Sequence, residues 1–306
     1  MSNPKKSEMR AFLNSPLSGY AACFTVIFIW SFWLIVSRLG AVSALTIYDL
    51  SAMRYGFSAV VSLPFILYFK PWKTLSLFRI LSLSFLLGPV YILIVFSGFT
   101  YAPAAHGGIF MNGLLPIFTV MIGLIFFATK FEQKKLNGAL VILCTASILG
   151  ANSAGLDLAK SWVGDLCFVV GGAFFASYVT LSRQWAIKTI EILFCSSIVN
   201  AIVYLPIWYF LLPSGFSVAE NSDILLQGVY QGLLPNLVGL ILITHASRSI
   251  GSEATSAIMA IVPATGAILG VWMLDEQMGL ISWLAIFGLT AGLLLMTVPK
   301  RKKIQP

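Results

Sequence analysis

The chain has 306 residues, 58% of them hydrophobic and 10% charged, with a mean hydropathy of +0.92. Soluble domains carry roughly 25% charged residues, so this composition excludes an ordinary globular domain. Apolar runs of about 20 residues recur along the whole chain, which identifies an all-α, polytopic integral membrane protein.

The polar stretch 1–18 leads into the first apolar run. That run is too long for the core of a cleavable signal and lacks a small-residue cleavage site, so it is expected to stay as the first span. Ten spans are expected in chain order, at 19–40, 46–69, 77–102, 103–127, 136–154, 161–186, 189–212, 225–251, 252–274 and 280–299. With the amino terminus set inside, sixteen of the nineteen Lys and Arg residues fall in cytoplasmic segments, leaving Lys160 outside and Arg38 and Arg54 near outer helix ends. Asp157, Glu220, Asp223, Asp275 and Glu276 lie on the outer side. This is the positive-inside bias with both termini cytoplasmic. The net charge of +8 is therefore a topology signal with contact to anionic lipid, and no nucleic-acid partner is expected. A bacterial inner (cytoplasmic) membrane is the expected location. Cys23, Cys144, Cys167 and Cys195 all fall in apolar runs without a CxxC pair, so neither a metal site nor a disulfide framework is expected.

Landmarks recur between the two halves. Pro116 matches Pro263 and Gly123 matches Gly270 at a spacing of 147, as Gly138 matches Ala285. Cys23-Phe24 matches Cys167-Phe168, Ser37-Arg38 matches Ser182-Arg183, and Leu63-Pro64 matches Leu205-Pro206, at spacings of 142 to 145. The chain thus divides into a tail (1–18), a first five-helix repeat (19–154), an outer linker (155–160), a second five-helix repeat (161–299) and a basic tail (300–306). An odd number of spans per half inserts the second half upside down, the inverted-repeat plan of many secondary transporters.

Four prolines fall mid-span: Pro89 in span 3, Pro116 in span 4, Pro235 in span 8 and Pro263 in span 9. A mid-helix proline frees a carbonyl, which survives at membrane depth only against protein or a water-filled cavity. Spans 3, 4, 8 and 9 are therefore expected to line a central cavity, against the plainer reading of packed kinks.

The stretches "IWSFWLIVSRLG" (29–40), "DLSAMRYGFSAVV" (49–61) and "FTYAPAAHGGIFMNGLLPIFTVMIG" (99–123) resemble the first helices of the EamA-type drug/metabolite transporter superfamily. The second half repeats the last of these as "ASRSIGSEATSAIMAIVPATGAILGVWMLDEQ". The resemblance covers nearly all of 19–299 and implies export or exchange of small metabolites, often amino acids, through a central cavity. The acid that follows the fourth helix of a repeat in that family corresponds to Glu276; the first half has Thr129 at the matching position and Glu132 three residues later.

Ionisable and amide groups inside spans are the first functional candidates. His106 and Glu253, matched at the 147 spacing near opposite mouths, are gating or proton-binding candidates; the plainer reading is interfacial hydrogen bonding. Arg54 requires a carboxylate, carbonyls or a substrate anion, and Asp49 five residues away offers a rim contact. Asn112, Gln231 and Asn236 flank the prolines and are substrate-binding candidates, against interhelical hydrogen bonding. Trp30, Trp33, Tyr91, Phe110 and Tyr178 are candidates for an aromatic cavity wall. Gly266-x-x-x-Gly270 and Gly288-x-x-x-Gly292 are packing faces, within the chain or in a homodimer.

No phosphate loop, HExxH or catalytic triad occurs, so neither a cofactor nor an enzymatic activity is expected. The reading is a secondary transporter of small polar metabolites, foremost amino acids, working by alternating access. Organic cations, polyamines or nucleosides form the alternative substrate classes, and a channel or a non-transporting subunit the alternative roles.

Overall fold

The computed structural model describes residues 15–128, 133–155 and 161–297. Most of the expected amino-terminal tail, the linker beyond Gly155 and the basic carboxy-terminal tail lie outside the described residues. Ten helical segments follow in chain order: α1 (Pro16–Val42), α2 (Ile47–Phe69), α3 (Leu77–Tyr101), α4 (Ala104–Phe127), α5 (Gln133–Gly155), α6 (Ser161–Gln184), α7 (Thr189–Leu211), α8 (Asn221–Ile250), α9 (Ser252–Met259 with Val262–Leu274) and α10 (Leu280–Thr297). Eight are long and apolar enough to cross a membrane; α5 and α10 contribute shorter apolar stretches, Leu136–Leu149 and Leu280–Met296. No strand occurs among the described residues. Val60, Ile202, Phe210 and Phe287 point outward and exposed. Such side chains would be a liability on a water-soluble surface and suit lipid.

Local sequence sets the helix ends. Ser15 caps α1 by accepting from the Ser18 amide, and Pro16 occupies the first helical position, where no amide is needed. Thr46 and Asp49 form a capping box at the start of α2. Ser76 caps α3. Lys70 and Asp275 stop α2 and α9 in left-handed conformation.

The packing maps onto itself when the halves are exchanged. In one half's terms α1 packs on α8 and α9; in the other's, α6 packs on α3 and α4; α2 meets α7, and α5 meets α10. The two glycine faces are used inside the chain. A Cβ on Gly292 would lie 2.9 Å from the Gly138 carbonyl oxygen, one on Gly288 would lie 2.8 Å from Thr145 Oγ1, and one on Gly266 would lie 2.6 Å from Leu34 Cδ1. These glycines let α10 approach α5, and α9 approach α1.

The helices are broken where the prolines fall, but in a different way from the expected kinks. Gly88 ends the first part of α3 and Pro89 starts the second. In α4, a π-helical stretch from Gly107 to Gly113 precedes a restart with Pro116 in its first turn. Pro263 likewise sits in the first turn of the restarted α9. Pro235 lies in a π-helical stretch of α8, Leu234–Val238. A proline at a restart loses no hydrogen bond. Side chains reach carbonyls at these breaks: Leu87 O accepts from Tyr55 Oη (3.1 Å), and Val262 O, in the first turn of the restarted α9, also accepts from Ser31 Oγ (3.2 Å). A further π-helical stretch, Phe194–Val199, interrupts α7.

Candidate functional site

Every break faces one central cavity of about 1050 Å³. Leu87 of α3, Asn112 and Pro116 of α4, Ser196 of α7, Pro235 and Asn236 of α8, and Pro263 of α9 all contribute to its wall. Trp30 and Trp33 of α1, Tyr91 of α3, and Phe175 and Tyr178 of α6 supply aromatic surface. Tyr91 stacks on Phe175 at 6.3 Å between ring centres, and Phe175 meets Tyr178 at 5.6 Å.

The cavity reaches one face of the bundle. Arg183 and Gln184, exposed in the last turn of α6, line its mouth, and Thr255 in the first turn of α9 and Leu293 and Met296 near the end of α10 line the wall. At the opposite face the connections are tied down. Glu276 Oε1 accepts from the Ala104 amide at 2.7 Å, linking the end of α9 to the start of α4. Arg38 Nη1 donates to Phe99 O. His106 Nδ1 lies 2.7 Å from Asp165 Oδ1, both side chains buried, and this is the sole contact at salt-bridge distance between a basic and an acidic side chain among the described residues.

Arg54 stands out on the wall. It is 8% exposed, and its Nη2 donates to Asn236 Oδ1 at 2.7 Å. Its Nη1 finds no acceptor. A guanidinium offers five N–H donors and at membrane depth normally sits beside a counter-charge. Asp49, expected as a rim partner, is committed elsewhere: its carboxylate accepts from the Thr46 amide (2.9 Å), the Gly215 amide (2.8 Å) and Trp208 Nε1 (2.9 Å). No Asp or Glu occurs among the described residues lining the cavity, whereas two arginines, Arg54 and Arg183, do.

The structure separates the sequence candidates. Asn112, Asn236, Trp30, Trp33, Tyr91, Tyr178, Arg54, Pro116, Pro235 and Pro263 share the cavity wall. Gln231 does not. It is fully buried between α1 and α8, where its Oε1 accepts from Trp33 Nε1 (2.8 Å) and its Nε2 donates to Ser37 Oγ (3.0 Å) and Gln227 Oε1 (3.3 Å). A fully buried amide whose oxygen and both N–H donors already have protein partners is not presented to a solute; Gln231 orients Trp33 instead. Phe110 is buried off the wall beside His106; two residues from Asn112, it points to the opposite side of the helix. Pro89 starts a helix behind Leu87 and is off the wall. His106 is off the wall as well, in the closed end. The Glu253 side chain lies outside the described residues.

The family model for the EamA-like transporter family matches this chain twice, over residues 17–151 and 162–298. The chain belongs to the EamA-like transporter family. The two matches coincide with the two halves whose helices pack symmetrically, so the EamA repeat is the unit of this fold and the chain is an integral membrane protein. A solved crystal structure shares the fold, with a TM-score of 0.61 at 20% identity over 93% of this EamA-family chain and 96% of that one. No curated protein sequence matches significantly.

Three groups escaped the sequence reading. Asp165 is an acid inside the apolar run "SWVGDLCFVV", and the cost of burying a carboxylate was signal enough to find it. Ser196 stands 142 residues after Arg54, the spacing that aligns Leu63-Pro64 with Leu205-Pro206, so the repeat alignment pointed to it. Tyr55 carries no such signal; only the break at Leu87 gives its hydroxyl an acceptor.

Proposed function

We propose that this chain is a secondary transporter of small polar metabolites that works by alternating access, with ten spans in two inverted repeats and both termini in the cytoplasm. One observation carries the reading: a cavity large enough for a metabolite, walled by both repeats at their helix breaks, reaches one face while the other is tied shut. Under the positive-inside assignment the reached face is cytoplasmic, and the state is inward-facing. Loosening the Glu276–Ala104, Arg38–Phe99 and His106–Asp165 contacts while the α4, α6, α9 and α10 ends close at the other face gives the outward-facing state. His106, with Asp165, then acts in the outer gate rather than on the solute.

Amino acids are the favoured substrates. The aromatic wall takes an apolar side chain, and Asn112, Asn236 and Arg54 offer polar contacts to the rest. Organic cations and polyamines find no carboxylate on the described wall. The test is exchange in proteoliposomes loaded with labelled phenylalanine. Efflux that saturates and is accelerated by unlabelled substrate on the opposite side is expected; ohmic current without trans-stimulation identifies a channel and overturns the carrier reading.

A further inference from the structure

We propose that Arg54 and Asn236 form a seat for one carboxylate, so that the substrates are small carboxylates with an apolar or aromatic body, and amines and neutral solutes are excluded. This deepens the transport reading and rests on it for the word substrate, though not for binding.

The argument starts from charge. Arg54 is more than nine-tenths buried on the wall of a cavity at membrane depth, and among the described residues no carboxylate pairs with it. A buried cation whose counter-ion the protein does not supply carries a large desolvation cost, which a bound anion removes. Its Nη1 has no acceptor among the described residues. Hydrogen bonding then fixes the neighbour. Because a guanidinium only donates, the oxygen of Asn236 must face Arg54, and the amide nitrogen of Asn236 is left as a second donor at the same place. Two donors and one positive charge match the two oxygens of a carboxylate. A phosphate dianion is a poorer fit, since the second arginine of the cavity, Arg183, stands exposed at the mouth. There it serves to draw anions in.

The remainder of the wall defines the rest of the solute. Tyr91, Phe175 and Tyr178 form a continuous aromatic surface, and Trp30 and Trp33 bound the cavity from α1. None of the described wall residues is acidic, so an ammonium group gains no ion pair. A zwitterion therefore binds through its carboxylate, and its analogue without the amine, an organic acid, binds at least as well.

The test uses detergent-purified full-length protein and four probes of one shape: 3-phenylpropionate, phenylalanine, 3-phenylpropanamide and 2-phenylethylamine. Titration calorimetry is expected to give binding of the two carboxylates and none of the amide or amine. Arg54→Gln is expected to weaken 3-phenylpropionate about 10- to 100-fold, the loss of a hydrogen bond to a charged group. Asn236→Asp supplies the missing counter-ion from the protein; it is expected to raise Tm and to abolish carboxylate binding. It also keeps the idea testable if Arg54→Gln does not fold. Amide or amine binding equal to the acid's overturns the proposal, as does unchanged acid binding in folded Asn236→Asp. The transport reading fails separately. Acids that bind through Arg54 but never accelerate efflux leave the seat standing without a carrier, and efflux driven equally by amines leaves a carrier without the seat.

Discussion

The two halves share the breaks at their prolines and differ in their polar groups. At matched positions on the cavity wall, Pro116 faces Pro263, but Asn112 is matched by Met259 and Arg54 by Ser196. Asn236, next to Pro235, is matched by Val90, next to Pro89. Each polar group thus has an apolar or uncharged counterpart in the other half. The places of the proline breaks, which both states of a rocking carrier must use, are duplicated. Recognition needs only one copy of each group, and two arginines at matched depth would repel each other in a low dielectric. The scaffold is symmetric and the chemistry is not.

The symmetric part is the more fragile. Gly138 of α5 and Gly292 of α10 touch backbone to backbone: a Cβ on Gly138 would lie 2.6 Å from Gly292 O, and one on Gly292 2.9 Å from Gly138 O. Backbone cannot step aside as a side-chain tip can. Gly138→Val is therefore expected to cost about 3 kcal/mol, the upper end of overpacking, and to be read as a fall in Tm and in monodisperse yield. A neutral result breaks the comparison, because it means that the α5–α10 pair does not brace the two halves.

Next in size is the pair formed by Gln231 and Trp33. Gln231→Leu leaves Trp33 Nε1, Ser37 Oγ and Gln227 Oε1 without their partner, at about 1–3 kcal/mol for a buried unsatisfied group. The expected outcome is lower stability with a modest change in KM, since the side chain acts on the wall and not on the solute. A large loss of affinity with unchanged Tm returns Gln231 to the binding site.

How much was visible beforehand follows from the same contrast. Eight of the expected spans were legible because apolar runs of membrane length mark them, and the repeat because its prolines and glycines recur at fixed spacings. Asn112 and Asn236 were found on the wall because each sits one turn or less from a proline. Gln231 satisfied a similar rule and failed. Whether an amide near a break faces the cavity or a neighbouring helix depends on rotation about the helix axis, and the π-helical stretches change that rotation without a sequence mark. Phe110 was misplaced for a simpler reason: two residues from Asn112, it cannot share that residue's face. The binding of Asp49 by Thr46, Gly215 and Trp208 joins α2 to residues more than 150 positions away, and no local pattern announces it.

A paired comparison on the wall is the sharpest measurement for the asymmetric part. Asn112→Ala removes a half-buried amide from the cavity, and Met259→Ala removes an adaptable apolar side chain at the matched position. A neutral hydrogen bond contributes about 0.5–1.5 kcal/mol, so Asn112→Ala is expected to raise the exchange KM roughly threefold to tenfold. Met259→Ala loses only contact area and is expected to stay within about threefold, because methionine packs loosely and neighbours fill in. Equal effects would mean that the solute lies on the pseudo-symmetry axis and meets both halves alike. An unequal effect in the predicted direction puts it on the side of Asn112, within the half that also holds Arg54.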